Sequence, residues 1–129
     1  MNISVQSYAY PTANFKSSFY PAIYTDRKKT PIIIQDIMML EGDGNYTYVH
    51  MINGKKTLIS KTLKDFCEAF QEYDFARIRK SYLINLHFLK DVDFSVEPYI
   101  TMQNGQRIEI SRRRKTDFQK QLKNFRQRV

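Results

Sequence analysis

The residues best suited to chemistry lie near the C-terminus, in Gly105-Gln106-Arg107-Ile108-Glu109-Ile110-Ser111-Arg112-Arg113-Arg114-Lys115. A period-two strand pattern runs there directly into four consecutive cations that open a helical pattern. Cations normally gather at a helix C-terminus, because the N-terminal end already carries the positive end of the macrodipole. A polyanion removes that conflict: phosphate binds well at helix N-termini, where free N–H groups and the dipole both favour negative charge. Ser111 to Lys115 therefore reads as a nucleic-acid contact, with a solvated basic helix end as the alternative.

The charge of the whole chain points the same way. Of a net charge of +8 over 129 residues, residues 107 to 128 hold nine Lys and Arg against Glu109 and Asp117, a balance of +7. The preceding residues are close to neutral, so an acidic partner is engaged mainly through one end of the chain. DNA, RNA and anionic membrane are the candidates. Membrane is the weakest, since no run of about 18 apolar residues exists and the N-terminus lacks the apolar core of a signal peptide. A cytoplasmic protein is expected. Cys67 is the only cysteine, which excludes an internal disulfide and a multi-cysteine zinc site; its position in an apolar helical stripe suggests a buried thiol. His50 and His87 have no metal-ligand partner at useful spacing, so no metal and no cofactor are expected. Without a Gly-rich phosphate loop, a nucleophile elbow or a Cys/His cluster, an enzyme is not expected either.

A length of 129 residues accommodates one domain. Residues 1–30 carry Pro11, Pro21 and the rings Tyr8, Tyr10, Phe15, Phe19, Tyr20 and Tyr24 without a sustained period, and read as an extended aromatic arm whose rings can pack on the domain or on another subunit. Residues 31–129 read as the domain, mostly β with flanking helices. Strands are predicted at Ile32 to Ile34, Ile37 to Leu40 and Asn45 to Ile52, the last with Tyr46, Tyr48, His50 and Ile52 on one face. Asp43-Gly44 marks a turn. Asn53-Gly54 and Asn104-Gly105 each fit the two-residue hairpin turn with positive φ at both positions. Thr62 can cap a helix with Asp65, on which Leu63, Phe66, Cys67 and Phe70 form one stripe. Phe75 to Ile84 reads as extended, Asn85 can cap a short turn through Leu89, and a last helix from about Arg112 to Phe125, capped by Ser111, turns Phe118, Leu122 and Phe125 inward.

The order of these pieces resembles the LytTR family of bacterial DNA-binding domains, usually found at the C-terminal end of response regulators. The matching segments are Ile37-Met38-Met39-Leu40-Glu41-Gly42-Asp43-Gly44-Asn45-Tyr46-Thr47-Tyr48-Val49-His50, Ile59-Ser60-Lys61-Thr62-Leu63-Lys64-Asp65-Phe66, Phe75-Ala76-Arg77-Ile78-Arg79-Lys80-Ser81-Tyr82-Leu83-Ile84-Asn85 and Ile108-Glu109-Ile110-Ser111-Arg112-Arg113-Arg114-Lys115. The resemblance implies small stacked antiparallel sheets with flanking helices, whose loops enter successive major grooves on one face of the duplex. Carried over by position, it implies base contacts from Asn45 and Tyr46 in a turn, Lys80 on a strand and Arg113 at a loop-to-helix junction. Arg79, Arg112, Arg114 and Lys115 are then phosphate contacts. The chemistry agrees: Arg pairs bidentately with guanine O6 and N7, Lys does so less rigidly, and Asn matches adenine N6 and N7. Thirty residues before the domain cannot hold the family's receiver domain, so a stand-alone regulator is expected, with any regulatory partner acting in trans.

Each residue also has an unremarkable reading. Asn45 can simply stabilise its turn, Tyr48 suits packing better than base contact, and only one of Arg79 and Lys80 should face the groove. An RNA-binding module and a basic protein-interaction module stay open as alternatives; the rings alternate within core strands instead of clustering on one exposed sheet, which counts against RNA. One small domain reads too short a site to stand out among roughly 10⁶ competing genomic sites, so two protomers are expected on DNA. The resemblance implies tandem direct repeats, which need no dyad in the protein, and a monomer or weak dimer in solution is expected.

Overall fold

Strands dominate the computed structural model, which describes residues 3–11, 17–24 and 31–129. The elements run β1 (Val5–Pro11), β2 (Ser17–Ile23), β3 (Ile32–Ile33), β4 (Ile37–Asp43), β5 (Tyr46–Met51), β6 (Lys56–Ile59), α1 (Leu63–Ala69), β7 (Phe75–Arg79), β8 (Tyr82–Asn85), β9 (Leu89–Asp93), β10 (Tyr99–Met102), β11 (Arg107–Glu109) and α2 (Lys115–Arg128), with 3-10 turns at Ile34–Asp36, Leu86–Phe88 and Arg112–Arg114. They form three antiparallel sheets, ordered β1-β2-β3, β6-β5-β4-β8-β7 and β11-β10-β9. The fold is thus the expected one of small antiparallel sheets with two α-helices.

The five-stranded sheet is buried on both faces at its centre. Leu40, Val49 and Leu83 point to one side, where Leu63, Phe66 and Phe70 cover them. Met39, Ala76, Ile78 and Ile84 point to the other, against Ile100, Met102 and Ile108 of the β9–β11 sheet and Phe118, Leu122 and Phe125 of α2. Double burial explains why β4 and β8 read as apolar runs while β5 alternates. A one-residue slip of either central strand would exchange its two faces, so the register is tightly specified.

Local signals mostly hold. Thr62 and Asp65 form a reciprocal capping box, with Thr62 N–H donating to Asp65 Oδ2 and Asp65 N–H to Thr62 Oγ1, both at 3.1 Å. Asn85, 1% exposed, accepts from the N–H of His87 at 3.0 Å and donates to the carbonyl of Ile37 at 2.8 Å. It therefore caps the 3-10 turn and also ties that turn to the start of β4.

Other expectations are corrected. Asn53 and Asn104 do not adopt positive φ; only Gly54 and Gly105 do, each at +88°. In both loops the glycine N–H donates to the carbonyl three residues back, Met51 or Met102, and the asparagine Oδ1 accepts from the residue after the glycine. This is a turn with negative φ at its central pair followed by a glycine bulge, the three-residue hairpin loop. Phe75 to Ile84 is not one extended segment: β7 and β8 form a hairpin whose turn is Lys80 and Ser81. Lys80 thus sits at a hairpin tip, not on a strand. Neither turn residue has positive φ among the described residues, so no Gly or Asn marks the turn in the sequence. Ser111 makes no side-chain cap; it is extended, its N–H donates to the carbonyl of Ile78 at 2.9 Å, and Arg112–Arg114 coil as a 3-10 turn before α2 begins at Lys115. Cys67 is partly buried, not fully, and burial pushes its thiol pKa up.

The aromatic N-terminal stretch contains the β1–β2 hairpin, in which Tyr8 and Tyr20 are opposite and half-buried, while Phe19 is 69% exposed. Ala22 and Ile23 are buried, and Ile3, Val5 and Ile23 join the cluster beneath α1. Phe15 lies outside the described residues.

At the end of the sheet where β7 begins, Asp74 adopts φ 61° and accepts from Arg128 at 2.7 Å, while His87 Nε2 lies 3.1 Å from its other oxygen. The His87 ring meets Phe125 edge-on at 4.9 Å. Burial raises the Asp74 pKa, but hydrogen bonds from Arg128 and His87 outweigh it and hold the carboxyl below its usual range. This cluster fastens the last turn of α2 to the sheet.

Two outcomes follow. Asn85→Ala leaves the Ile37 carbonyl and the His87 N–H without their partners and should cost about 2 to 3 kcal/mol in denaturant unfolding; a loss below about 0.5 kcal/mol contradicts the assigned bonds. Because the folded-state pKa of Asp74 is depressed, its stabilisation is complete above the ordinary carboxylate pKa and is lost as pH falls through the folded value. The stability gap between the wild type and Asp74→Asn should therefore close on acidification from about pH 5 to 2, and parallel curves would contradict it.

Candidate nucleic-acid interface

Three turns meet at one end of the five-stranded sheet. Because β4 and β8 are antiparallel, with Glu41 opposite Tyr82, the end of β4 lies beside the start of β8. The β4–β5 turn and the β7–β8 turn are consequently neighbours. Gly42 N–H donates to the Ser81 carbonyl at 2.8 Å and joins them directly. The Ser111 N–H bond to Ile78 then brings the Arg112–Arg114 turn against the end of β7. Strand spacing puts the first two turns about 10 Å apart, and the third adjoins the edge strand β7.

In the first turn, Gly44 and Asn45 link Asp43 to Tyr46, and Gly44 has φ +61°. Glycine at the first of two central positions suits the type II′ hairpin, whose twist matches its strands. Asn45 is exposed and Tyr46 is 49% exposed. Gly42 matters for another reason: a Cβ there would lie 3.0 Å from Leu63 Cβ, so α1 packs closely under the base of this turn. Nearby, Glu41 accepts from the Tyr82 hydroxyl at 3.2 Å and lies 3.2 Å from His50 Nε2. Burial, then the charge of Glu41, pushes the Tyr82 phenol pKa up, so it remains a donor. Tyr48 is half-buried, with Lys56 Nζ 4.6 Å over its ring.

At the second turn, Lys80 is exposed. Its carbonyl accepts from both Nε and Nη2 of Arg77, at 3.2 and 2.6 Å. Arg77 therefore braces the tip without occupying the Lys80 ammonium. Arg79 donates to Glu109 at 3.1 Å. At the third turn, Arg112 and Arg113 are exposed, while Arg114 and Lys115 are partly buried. Burial first, then the nearby Arg77 cation, lowers the Arg114 pKa. The crowded guanidiniums would gain from an anion.

The predicted contact residues Asn45, Tyr46, Arg79, Lys80, Arg112, Arg113, Arg114 and Lys115 thus lie on or next to these three turns. Arg77, Glu41 and Glu109 were not among them. Arg77 carried a usable signal, since it alternates with buried Ala76 and Ile78 on an edge strand; Glu41 and Glu109 carried none, because their partners are distant in sequence. Among the described residues, no group of three or more His, Cys, Asp or Glu is placed to hold a metal, and no helix is long and apolar enough to cross a membrane.

A family model for the LytTr DNA-binding domain matches residues 27–123. The chain belongs to the LytTR family. Among solved structures, the LytTr DNA-binding domain of a putative methyl-accepting/DNA response regulator from Bacillus cereus superposes with a TM-score of 0.66 at 23% identity, covering 78% of this chain and 94% of that one. At that identity the likeness speaks for the fold. Comparison with curated proteins finds no match. The matching family model is that of a DNA-binding domain, so this chain is a DNA-binding domain of the transcription-regulating class and DNA is its partner.

Proposed function

We propose that this LytTR domain binds duplex DNA sequence-specifically as a transcription regulator and catalyses no reaction. The observation that carries the reading is the clustering of three turns at one end of the five-stranded sheet, tied by the Gly42–Ser81 and Ser111–Ile78 backbone bonds, with Asn45, Lys80 and Arg113 exposed on them. Asn45, Tyr46, Lys80 and Arg113 read base edges. The outer turns enter successive major grooves on one face of the duplex. Arg112, Arg114 and Lys115 hold phosphates and set the register. Arg79, a fourth phosphate candidate, already has Glu109 as its partner in the free protein. Selection of bound sequences from a random duplex pool tests the reading: a recovered motif supports it, and no enrichment over input overturns it.

The arrangement also supports assembly on tandem direct repeats. A protomer that reads one face of the duplex is joined by a second on the same face when site centres are about two turns, roughly 20 to 21 base pairs, apart. The protein is then a monomer or weak dimer in solution. A domain boundary near residue 30 and a regulatory partner in trans complete the proposal.

Binding should weaken with salt. With about four to six phosphate contacts among Arg79, Lys80, Arg112, Arg113, Arg114, Lys115 and the cations of α2, log K falls against log salt with a slope of roughly −4 to −5, and a slope near zero contradicts duplex binding. Arg113→Ala should cost about 1 to 3 kcal/mol on the preferred site and relax base preference there, whereas Lys115→Ala should weaken all sequences alike. Equal, sequence-independent losses from both would reduce Arg113 to a phosphate contact. Shifting repeat spacing by about five base pairs turns one protomer to the opposite face and should abolish cooperative binding. Unchanged cooperativity after the shift would rule out the tandem arrangement.

A further inference from the structure

We infer that Arg79 and Glu109 form a positioning strut that fixes the Lys80 turn against the Arg113 turn, with Arg79 acting through Glu109 and not on phosphate. The inference rests on the DNA-binding reading and names what holds two of its contact turns in relation to each other.

Glu109 is the last residue of β11, exposed between buried Ile108 and Ile110, and its carboxylate is 3.1 Å from Arg79 Nη1. Arg79 is the last residue of β7, one position before Lys80. The pair therefore joins the final residues of the two strands that lead into these turns. A backbone bond from Ser111 N–H, two residues beyond β11, to the Ile78 carbonyl of β7 already ties the two segments, and Ile108 and Ile110 pack with Ile78 in one buried cluster. The buried contacts set how the two strands approach; the ion pair adds an attachment on the solvent side, between that core and the turns. Lys80 and Arg113 lie just beyond these two attachments, so a small rotation there is magnified at their tips.

A carboxylate on this surface needs a reason. Glu109 and Glu97 share a cleft of about 450 Å³ with Arg79, Arg112 and Lys115, where an approaching polyanion would meet both carboxylates, Glu109 lying next to the Arg113 turn. An unpaired Glu109 would repel phosphate. If Arg79 turned to phosphate, it would leave that carboxylate bare beside the duplex, so the new attraction would be offset by repulsion. Keeping the pair intact avoids both costs. In free protein the side chains of Arg79 and Glu109 are 41% and 78% exposed, and an exposed pair contributes little to stability. Its effect should appear on DNA, where water is excluded and screening falls.

The test uses the whole domain, the preferred duplex obtained by selection, and an unrelated duplex, with Arg79→Gln, Glu109→Gln and the exchange Arg79→Glu with Glu109→Arg. Thermal unfolding midpoints show that each variant is folded. Both single variants should lower the preference for the selected site by about threefold to tenfold, with base preference relaxed at the positions read by Lys80 and Arg113. The exchange should recover much of it. Arg79→Gln should leave the salt slope at the wild-type value. A slope reduced by about 0.9 with equal loss on both duplexes makes Arg79 a plain phosphate contact and overturns the strut. Tighter binding of Glu109→Gln to every duplex, with preference unchanged, overturns it too. Arg113→Ala is the control for the reading itself: if the wild type prefers no duplex and Arg113→Ala changes nothing, the DNA-binding reading fails, and the strut with it.

Discussion

The antiparallel pairing of β4 with β8 is the constraint on which the interface depends. Leu40 opposite Leu83 and Met39 opposite Ile84 bury alternate faces of both strands in different clusters, so neither strand can slip without turning apolar side chains to the wrong side. That register brings the end of β4 to the beginning of β8. Two turns far apart in sequence thereby become neighbours, and the Gly42 bond to Ser81 joins them. Burial thus sets the relative position of surface residues that contribute nothing to burial themselves.

The second consequence is electrostatic. The positive balance of the C-terminal segment is laid along α2 and the turn before it, since Phe118, Leu122 and Phe125 hold one face of the helix to the sheet and leave its cations outward. The cations at the start of α2 remain in conflict with the helix dipole and with one another. Ser111 does not relieve that conflict: its side chain makes no capping bond, and its N–H donates to the Ile78 carbonyl. A phosphate bound there, as proposed, would relieve it; the basic turn itself is held by a backbone bond instead of a cap. The Asp74 cluster with His87 and Arg128 secures the other end of the same helix.

Signals local to the chain were legible. The Thr62 and Asp65 box, the Asn85 cap and the apolar stripe of α1 all act within a few residues, and the segments that resemble LytTR domains cover most of the site. Geometry that depends on tertiary contacts was not. The Lys80-Ser81 turn carries no glycine or asparagine, since its backbone needs no positive φ, and it is held by Arg77 and by Gly42 from another strand. Asn-Gly at 53 and 104 identifies a hairpin correctly but does not distinguish a two-residue loop from a three-residue loop with a bulge. The β1–β2 hairpin escapes a reading based on period because irregular rings obscure the alternation, although Ile23 anchors it to the core.

Chemical protection of guanine N7 on the preferred duplex tests the central claim most directly, because N7 lies in the major groove and is read by side chains entering there. The account predicts two protected patches on one face of the helix, separated by about one turn, roughly 10 base pairs. Protection should be lost from one patch in Arg113→Ala while the other persists. Protection spread around the helix, or confined to the minor-groove edges of the bases with guanine N7 fully reactive, would contradict it.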